Sequence, residues 1–287
     1  MSSQGTWRQV TVATESALRP PQKRALAHVP RVPARHTAAL AVLCCMGAAC
    51  RGSPPKDYRL VAEWPHDTAA YTQGLLLAEG QLFESDGEYG VSQVRRVDVR
   101  TGRTLARAGL PANRFGEGLA LLNGKLYQLT WKAQVGYVYD AASLARIDSF
   151  RYAGEGWGLA TDGTSLIMSN GGPTLQWLDP ETYRVIRVDT VHEGTAPLQM
   201  LNELEYVNGA VYANVYQSDW IVRIDPATGA VQQWYDFSGI LPAGKRTPRT
   251  DVLNGIAYDP ADSTFLITGK RWPLLFAVRL REGTRPH

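Results

Sequence analysis

From Tyr58 onward the hydrophobic residues fall into short alternating runs, separated by Gly, Asn-Gly, Asp-Gly and Asp-Pro turn signals. Strand-like runs punctuated every ~8–12 residues predict an all-β chain. No stretch carries the apolar spacing of an amphipathic helix.

The runs also repeat. First strands at 74–77, 118–121, 158–160, 204–207 and 256–259 begin with Gln73-Gly74-Leu75, Glu117-Gly118-Leu119, Trp157-Gly158-Leu159, Asn202-Glu203-Leu204 and Asn254-Gly255-Ile256. Their separation of about 40–50 residues is the period of a propeller blade. Each is followed by a turn, a second strand (81–85, 126–129, 166–168, 211–214, 265–268) and a third (94–98, 136–140, 174–179, 221–225, 275–280). Asn123-Gly124 and Asn208-Gly209 are strong hairpin signals at the first of these turns. Four repeats run on into a fourth strand, as at 103–106 and 230–234, and the fifth has none. An unpaired run at 58–64, stopped by Pro65, can supply it. The predicted fold is therefore a five-bladed β-propeller closed by an N-terminal strand, an arrangement that removes an exposed sheet edge. A β-sandwich would leave both the repeat and the orphan strand unexplained.

Charge separates this body from what precedes it. Positions 1–50 hold Arg8, Arg19, Lys23, Arg24, Arg31 and Arg35 against Glu15 alone. Subtracting them from 30 basic and 27 acidic residues leaves 24 and 26, so the net +3 belongs to the leader. The nearly neutral body offers no basic face for nucleic acid. Arg31 and Arg35, an apolar run at 37–49 and the small residues Gly47-Ala48-Ala49-Cys50 follow the order of a secretory signal. The run is too short for a spanning helix of ~20 residues. Residues 1–56 are expected to be leader and linker, and 57–287 the propeller, exported to the periplasm or held at the cell envelope. Cys50 resembles a lipoprotein cleavage site, although Gly47 stands where such sites usually have Leu; lipid attachment at Cys50 and simple cleavage are equal alternatives. The stretch up to Val29 has no periodicity, so either the true start lies further on or this part is a disordered extension.

Cys44, Cys45 and Cys50 all lie in the leader, which leaves the propeller without thiol chemistry or disulfides. Beyond it only His66, His192 and His287 occur, with no metal-binding spacing among them.

In a blade, the residue entering the innermost strand and the loop leaving the second strand lie at the same end of the ring. Gln73, Glu117, Trp157, Asn202 and Asn254 occupy the first position, and Trp131, Tyr216 and Lys270 the second, so one channel mouth should gather one carboxylate, one ammonium, amides and aromatic rings. That mixture suits a small, oriented, partly apolar ligand. Glu117, between glycines near the axis, is the candidate acid/base. Structural alternatives stand beside each assignment: packing for the tryptophans, turn capping or ion pairing for Glu117, a solvated cation for Lys270, and backbone satisfaction for the amides. Asp179-Pro180, Asp225-Pro226 and Asp259-Pro260 are turn formers.

Nine motifs, in order, carry a resemblance: Tyr71-Thr72-Gln73-Gly74-Leu75, Glu84-Ser85-Asp86-Gly87, Phe115-Gly116-Glu117-Gly118, Gln128-Leu129-Thr130-Trp131, Gly154-Glu155-Gly156-Trp157-Gly158, Leu201-Asn202-Glu203-Leu204-Glu205-Tyr206, Asn214-Val215-Tyr216, Asp251-Val252-Leu253-Asn254-Gly255-Ile256-Ala257-Tyr258 and Thr268-Gly269-Lys270. Over about 58–280 the chain resembles the plant and bacterial glutaminyl-peptide cyclotransferases, five-bladed propellers. The resemblance implies conversion of N-terminal glutamine of peptides or proteins to pyroglutamate with loss of ammonia, without a catalytic metal or cofactor, by a chain expected to be a monomer. It implies Glu117 as acid/base, Asn202 and Lys270 as stabilisers, and Gln73, Trp131 and Trp157 in the substrate pocket; the blade register adds Tyr216 and Asn254 as expected substrate-binding residues. The family commonly has Trp where Tyr216 stands, which bears on pocket shape more than on reaction type. Two other functions fit a propeller: a non-catalytic binder of peptides or sugars through the aromatic mouth, and a lactonase-like hydrolase. The latter needs an axial metal held by several carboxylates, where only Glu117 and Glu203 are available.

Overall fold

The computed structural model of the protein describes residues 57–281. The signal-like run and Cys50 lie outside them.

Five four-stranded antiparallel sheets form the fold. The first contains β2 (Thr72–Ala78), β3 (Gln81–Asp86), β4 (Gln93–Val97) and β5 (Thr104–Gly109). The second contains β6 (Gly116–Leu122), β7 (Lys125–Thr130), β8 (Val135–Asp140) and β9 (Arg146–Arg151). β10 (Leu159–Thr161), β11 (Leu166–Ser169), β12 (Thr174–Leu178) and β13 (Val185–Thr190) make the third. A small hairpin, β14 (His192–Glu193) and β15 (Ala196–Pro197), leads to the fourth sheet of β16 (Leu201–Val207), β17 (Ala210–Val215), β18 (Trp220–Ile224) and β19 (Val231–Asp236). After a 3-10 turn at Ala243–Lys245, the fifth is built from β20 (Leu253–Asp259), β21 (Thr264–Gly269) and β22 (Leu274–Leu280). Its fourth strand is β1 (Tyr58–Pro65), antiparallel to β22 with Tyr58 opposite Leu280. The orphan strand thus closes a five-bladed propeller. It runs through Pro65 rather than stopping before it, because an edge strand has a free side on which the missing N–H costs nothing. The hairpin and the 3-10 turn are additions that the blade repeat did not announce.

The innermost strands neighbour one another around the axis in the order β2, β6, β10, β16, β20 and back to β2. Glycines permit this closeness. A Cβ on Gly74 would come within 2.6 Å of Leu119 N, and one on Gly118 would collide with the backbone of Leu159. The core lies between blades, as where Leu119, Leu126 and Tyr139 of the second sheet meet Leu76, Phe83 and Val94 of the first. β9 and β13, outermost in their blades, are largely exposed. The Asp-Pro sites act as turn formers: Asp179, Asp225 and Asp259 each accept a backbone N–H two residues on.

In the fourth blade Glu203 takes the place that Gly holds in the others. Its two carboxylate oxygens cross the channel to accept Leu75 N at 3.1 Å and Ile256 N at 2.8 Å. A second buried carboxylate, Glu84, ties the closing blade to the first. His66, just past β1, bridges Trp272 O and Glu84 Oε1, while Thr72 and Arg95 also bond Glu84.

Candidate active site

Why do residues of five blades reach one point? In four blades the first strand slips register against the second, between Thr72 and Gly74, Gly116 and Leu119, Leu201 and Leu204, and Leu253 and Ile256. Such bulges re-aim side chains, and Gln73, Glu117, Asn202 and Asn254 sit in them. In the third blade β10 starts late, so Trp157 precedes it, fixed by its N–H to Ser169 O at 3.0 Å. The second set arrives by a matching rule. Trp131, Tyr216 and Lys270 are each the first residue after a second strand. Each donates its backbone N–H to the carbonyl just ahead of its own first strand, Trp131 to Phe115, Tyr216 to Met200 and Lys270 to Val252, at 3.0, 2.8 and 2.9 Å.

The result is a cavity of about 210 Å³. Seven of the eight residues singled out from the sequence line it: Gln73, Glu117, Trp131, Trp157, Asn202, Tyr216 and Lys270. Asn254 is behind the wall. Its amide donates to Thr72 O at 3.0 Å and to Gln73 Oε1 at 3.3 Å, which turns the Gln73 NH₂ toward Glu117 Oε1, 3.0 Å away.

Two lining residues were missed by the repeat argument, Tyr71 and Phe115. Both stand immediately before a first strand, two residues ahead of the counted Gln73 and Glu117. In the first blade the position equivalent to Trp131 is Gly87, and the Phe115 ring fills the space its side chain would take, 2.5 Å from an ideal Cβ. Phe115 meets Trp131 edge-on at 5.7 Å, and Trp157 meets Tyr216 edge-on at 5.4 Å.

Glu117 is only 5% exposed and Lys270 only 2%. Burial pushes the Glu117 carboxyl well above the usual carboxylate range, with the Lys270 charge opposing and the Glu155 charge adding. Burial lowers Lys270, opposed by Glu117 and Asp251. Its ammonium lies 4.8 Å from the Tyr71 ring centre and 4.9 Å from that of Tyr216, a cation–π arrangement that leaves its N–H groups for a ligand. Tyr71 donates its hydroxyl to Asp251 Oδ2 at 3.2 Å. Asn202 buries Oδ1 without a protein partner among the described residues and lines the cavity. Among the described residues no three His, Cys, Asp or Glu side chains group as a metal site.

Such a pocket has room for a short polar side chain between aromatic walls, beside one carboxyl group and one ammonium group. A family model described as glutamine cyclotransferase matches residues 36–280. A glutaminyl-peptide cyclotransferase of Arabidopsis thaliana is 43% identical over 234 residues, 79% of this chain and 72% of that one. The crystal structure of Myxococcus xanthus glutaminyl cyclase superposes with a TM-score of 0.74 at 37% identity, covering 78% of this chain and 96% of that chain.

Proposed function

The chain belongs to the glutamine cyclotransferase family, and we propose that it converts the N-terminal glutamine of peptides and proteins to pyroglutamate, releasing ammonia, with Glu117 moving the proton. The observation that carries the assignment of residues is the convergence of one buried carboxylate and one buried ammonium in a cavity of about 210 Å³. That is below the ~300–1,000 Å³ of sites for larger ligands, and fits a single side chain.

In the reaction the α-amine attacks the carboxamide carbon, the new C–N bond closes a five-membered ring, and the old C–NH₂ bond breaks. Nucleophile and electrophile are already tethered, so the protein contributes orientation and proton movement. Glu117 takes the proton from the attacking nitrogen and delivers it to the departing nitrogen, which leaves as NH₃. Burial raises its pKa above the usual carboxylate range, which makes the carboxylate a stronger proton acceptor and is the direction in which enzymes tune catalytic carboxylates. Gln73, held by Asn254, keeps the Glu117 carboxylate oriented. Lys270 and the Asn202 amide stabilise the oxyanion that develops on the former carboxamide. Trp131, Trp157, Phe115 and Tyr216 enclose the methylene stem and exclude water, a competing nucleophile.

Purified protein incubated with a Gln-initiated dipeptide should release ammonia equally with and without EDTA. Absence of turnover would defeat the reading, and loss of turnover on chelation would defeat the metal-free mechanism. A purely binding propeller would retain peptide affinity and release no ammonia. Export, followed either by lipid attachment at Cys50 or by simple cleavage and release, is part of the same proposal and rests on the charged, apolar, small-residue order of the leader. Membrane association that disappears in Cys50→Ser tests the lipid.

A further inference from the structure

The pocket's two tryptophans share one hydrogen-bond acceptor. Glu155 Oε2 receives Trp131 Nε1–H at 2.6 Å and Trp157 Nε1–H at 3.0 Å. These indoles come from different blades: Trp131 follows the second strand of the second blade, and Trp157 precedes the first strand of the third. One carboxylate oxygen therefore spans the seam between the blades and joins two walls of the cavity, while Glu155 itself does not line it.

The surroundings leave this carboxylate little other employment. Its side chain is 39% exposed. Its other oxygen lies 3.8 Å from Lys132 Nζ, and that ammonium sits 3.8 Å over the Trp131 ring. The backbone makes the seam independently, since Gly156 N donates to Trp131 O at 3.0 Å. Folding thus brings the loops together without the side chain, and what Glu155 adds is the rotation of two indoles about their own side-chain bonds.

We infer that Glu155 is a positioning residue that fixes the orientation of Trp131 and Trp157, and so the fit of the cavity to the glutamine side chain. The inference rests on the cyclotransferase reading for its kinetic consequence and on hydrogen-bond geometry alone for its structural one. With the shared acceptor removed, each indole turns independently, and the stem of the substrate loses two fixed walls. Because the carboxylate also carries a negative charge near Glu117, which that charge helps to raise, neutralising it moves the titration of the proton-transfer group toward acid. The two effects are separable, since Gln keeps an acceptor oxygen and removes the charge, whereas Ala removes both.

The test uses the full chain with Glu155→Ala and Glu155→Gln. In Glu155→Ala, KM for a Gln-initiated dipeptide should rise about tenfold, of the size expected for losing charge-assisted hydrogen bonds, with kcat changed less. In Glu155→Gln, KM should stay within about threefold of the parent, while the acid limb of the kcat profile moves to lower pH. Indole N–H signals in a ¹⁵N-Trp spectrum supply a readout independent of turnover. Those of Trp131 and Trp157, assigned by Trp→Phe replacement, should move and broaden in Glu155→Ala and stay sharp in Glu155→Gln. Unchanged indole signals and unchanged KM in Glu155→Ala would overturn the inference. So would equal KM increases in both variants, which would trace the effect to charge alone. If the parent protein turns over no Gln peptide, the cyclotransferase reading fails, and the indole spectrum still decides whether Glu155 positions the tryptophans.

Discussion

Replacing Glu117 by Gln separates catalysis from folding more cleanly than any other single change. The amide keeps the shape and the oxygen that accepts Gln73 Nε2, and it removes the ability to carry a proton. General acid–base catalysis contributes roughly 10²–10⁴ in rate, so at ~1.36 kcal/mol per decade the barrier should rise by about 2.7–5.5 kcal/mol. Stability should respond differently. The unfolded chain releases the Glu117 proton near pH ~4.3, whereas burial keeps it on the folded protein to higher pH. Between those values the folded state binds more protons, so the stabilisation is fully present below the unfolded pKa and is lost as pH rises through the folded one. Glu117→Gln does not titrate and escapes that loss. Against this, Lys270 loses the charge that opposes its desolvation. The two terms oppose each other, and the net change near pH 7 should stay within about 1 kcal/mol, or roughly 2–4 °C in Tm for a domain of this size. Coupled detection of ammonia from a Gln-initiated dipeptide gives kcat, and thermal melts at pH 4.5 and 8 give the stability difference. Relative to the parent, the variant should gain Tm as pH rises. A kcat within about tenfold of the parent, or a Tm loss above ~8 °C at both pH values, would refute the assignment and make Glu117 a structural residue.

Lys270→Met should lower kcat by about 10²-fold or more, the loss typical of an oxyanion donor. Because the folded pKa of Lys270 is depressed, the charged side chain destabilises the fold below that pKa, and the variant should melt no lower than the parent at neutral pH; a large drop in Tm would show that the ammonium holds the fold. His66→Ala should cost about 3–5 kcal/mol by stripping a buried partner from Glu84. Burial alone would lower the His66 pKa, but the Glu84 charge and hydrogen bond raise it on balance. The Tm deficit of His66→Ala is therefore largest below the unfolded pKa of ~6.5 and shrinks as pH rises through the folded one, and a pH-independent deficit would contradict the pairing. Glu203→Gly restores the glycine of the other blades but leaves Leu75 N and Ile256 N without their acceptor, at about 1–3 kcal/mol for each buried donor. Denaturant titration should show that loss with kcat little altered, and an unchanged midpoint would mean that water replaces the carboxylate without penalty.

The blade repeat and its missing strand were legible because strand alternation, turn chemistry and a fixed period are local properties, written in each repeat separately. The same holds for Glu117, Trp131 and Lys270, since a position that recurs at one height in every blade faces the axis whatever its neighbours are. Limits set in where the answer depends on the opposite side of the ring. Asn202 and Asn254 share a residue type and sit in equivalent bulges of neighbouring blades, yet only Asn202 reaches the cavity, because Asn254 is drawn to Thr72 O and Gln73 across the closing seam. Tyr71 and Phe115 were overlooked for a related reason. They precede the counted register, and Phe115 enters the wall only because Gly87 of the neighbouring blade leaves room. Glu155 and Glu203 were visible as acidic residues within the motifs, but their roles depend on partners across a blade seam: for Glu155 the Trp131 indole, joined through it to Trp157 of its own loop, and for Glu203 two backbone N–H groups of other blades. In a propeller the period thus identifies which positions meet, while the side chains on the adjoining blades determine which of them touch a substrate and which hold the others in place.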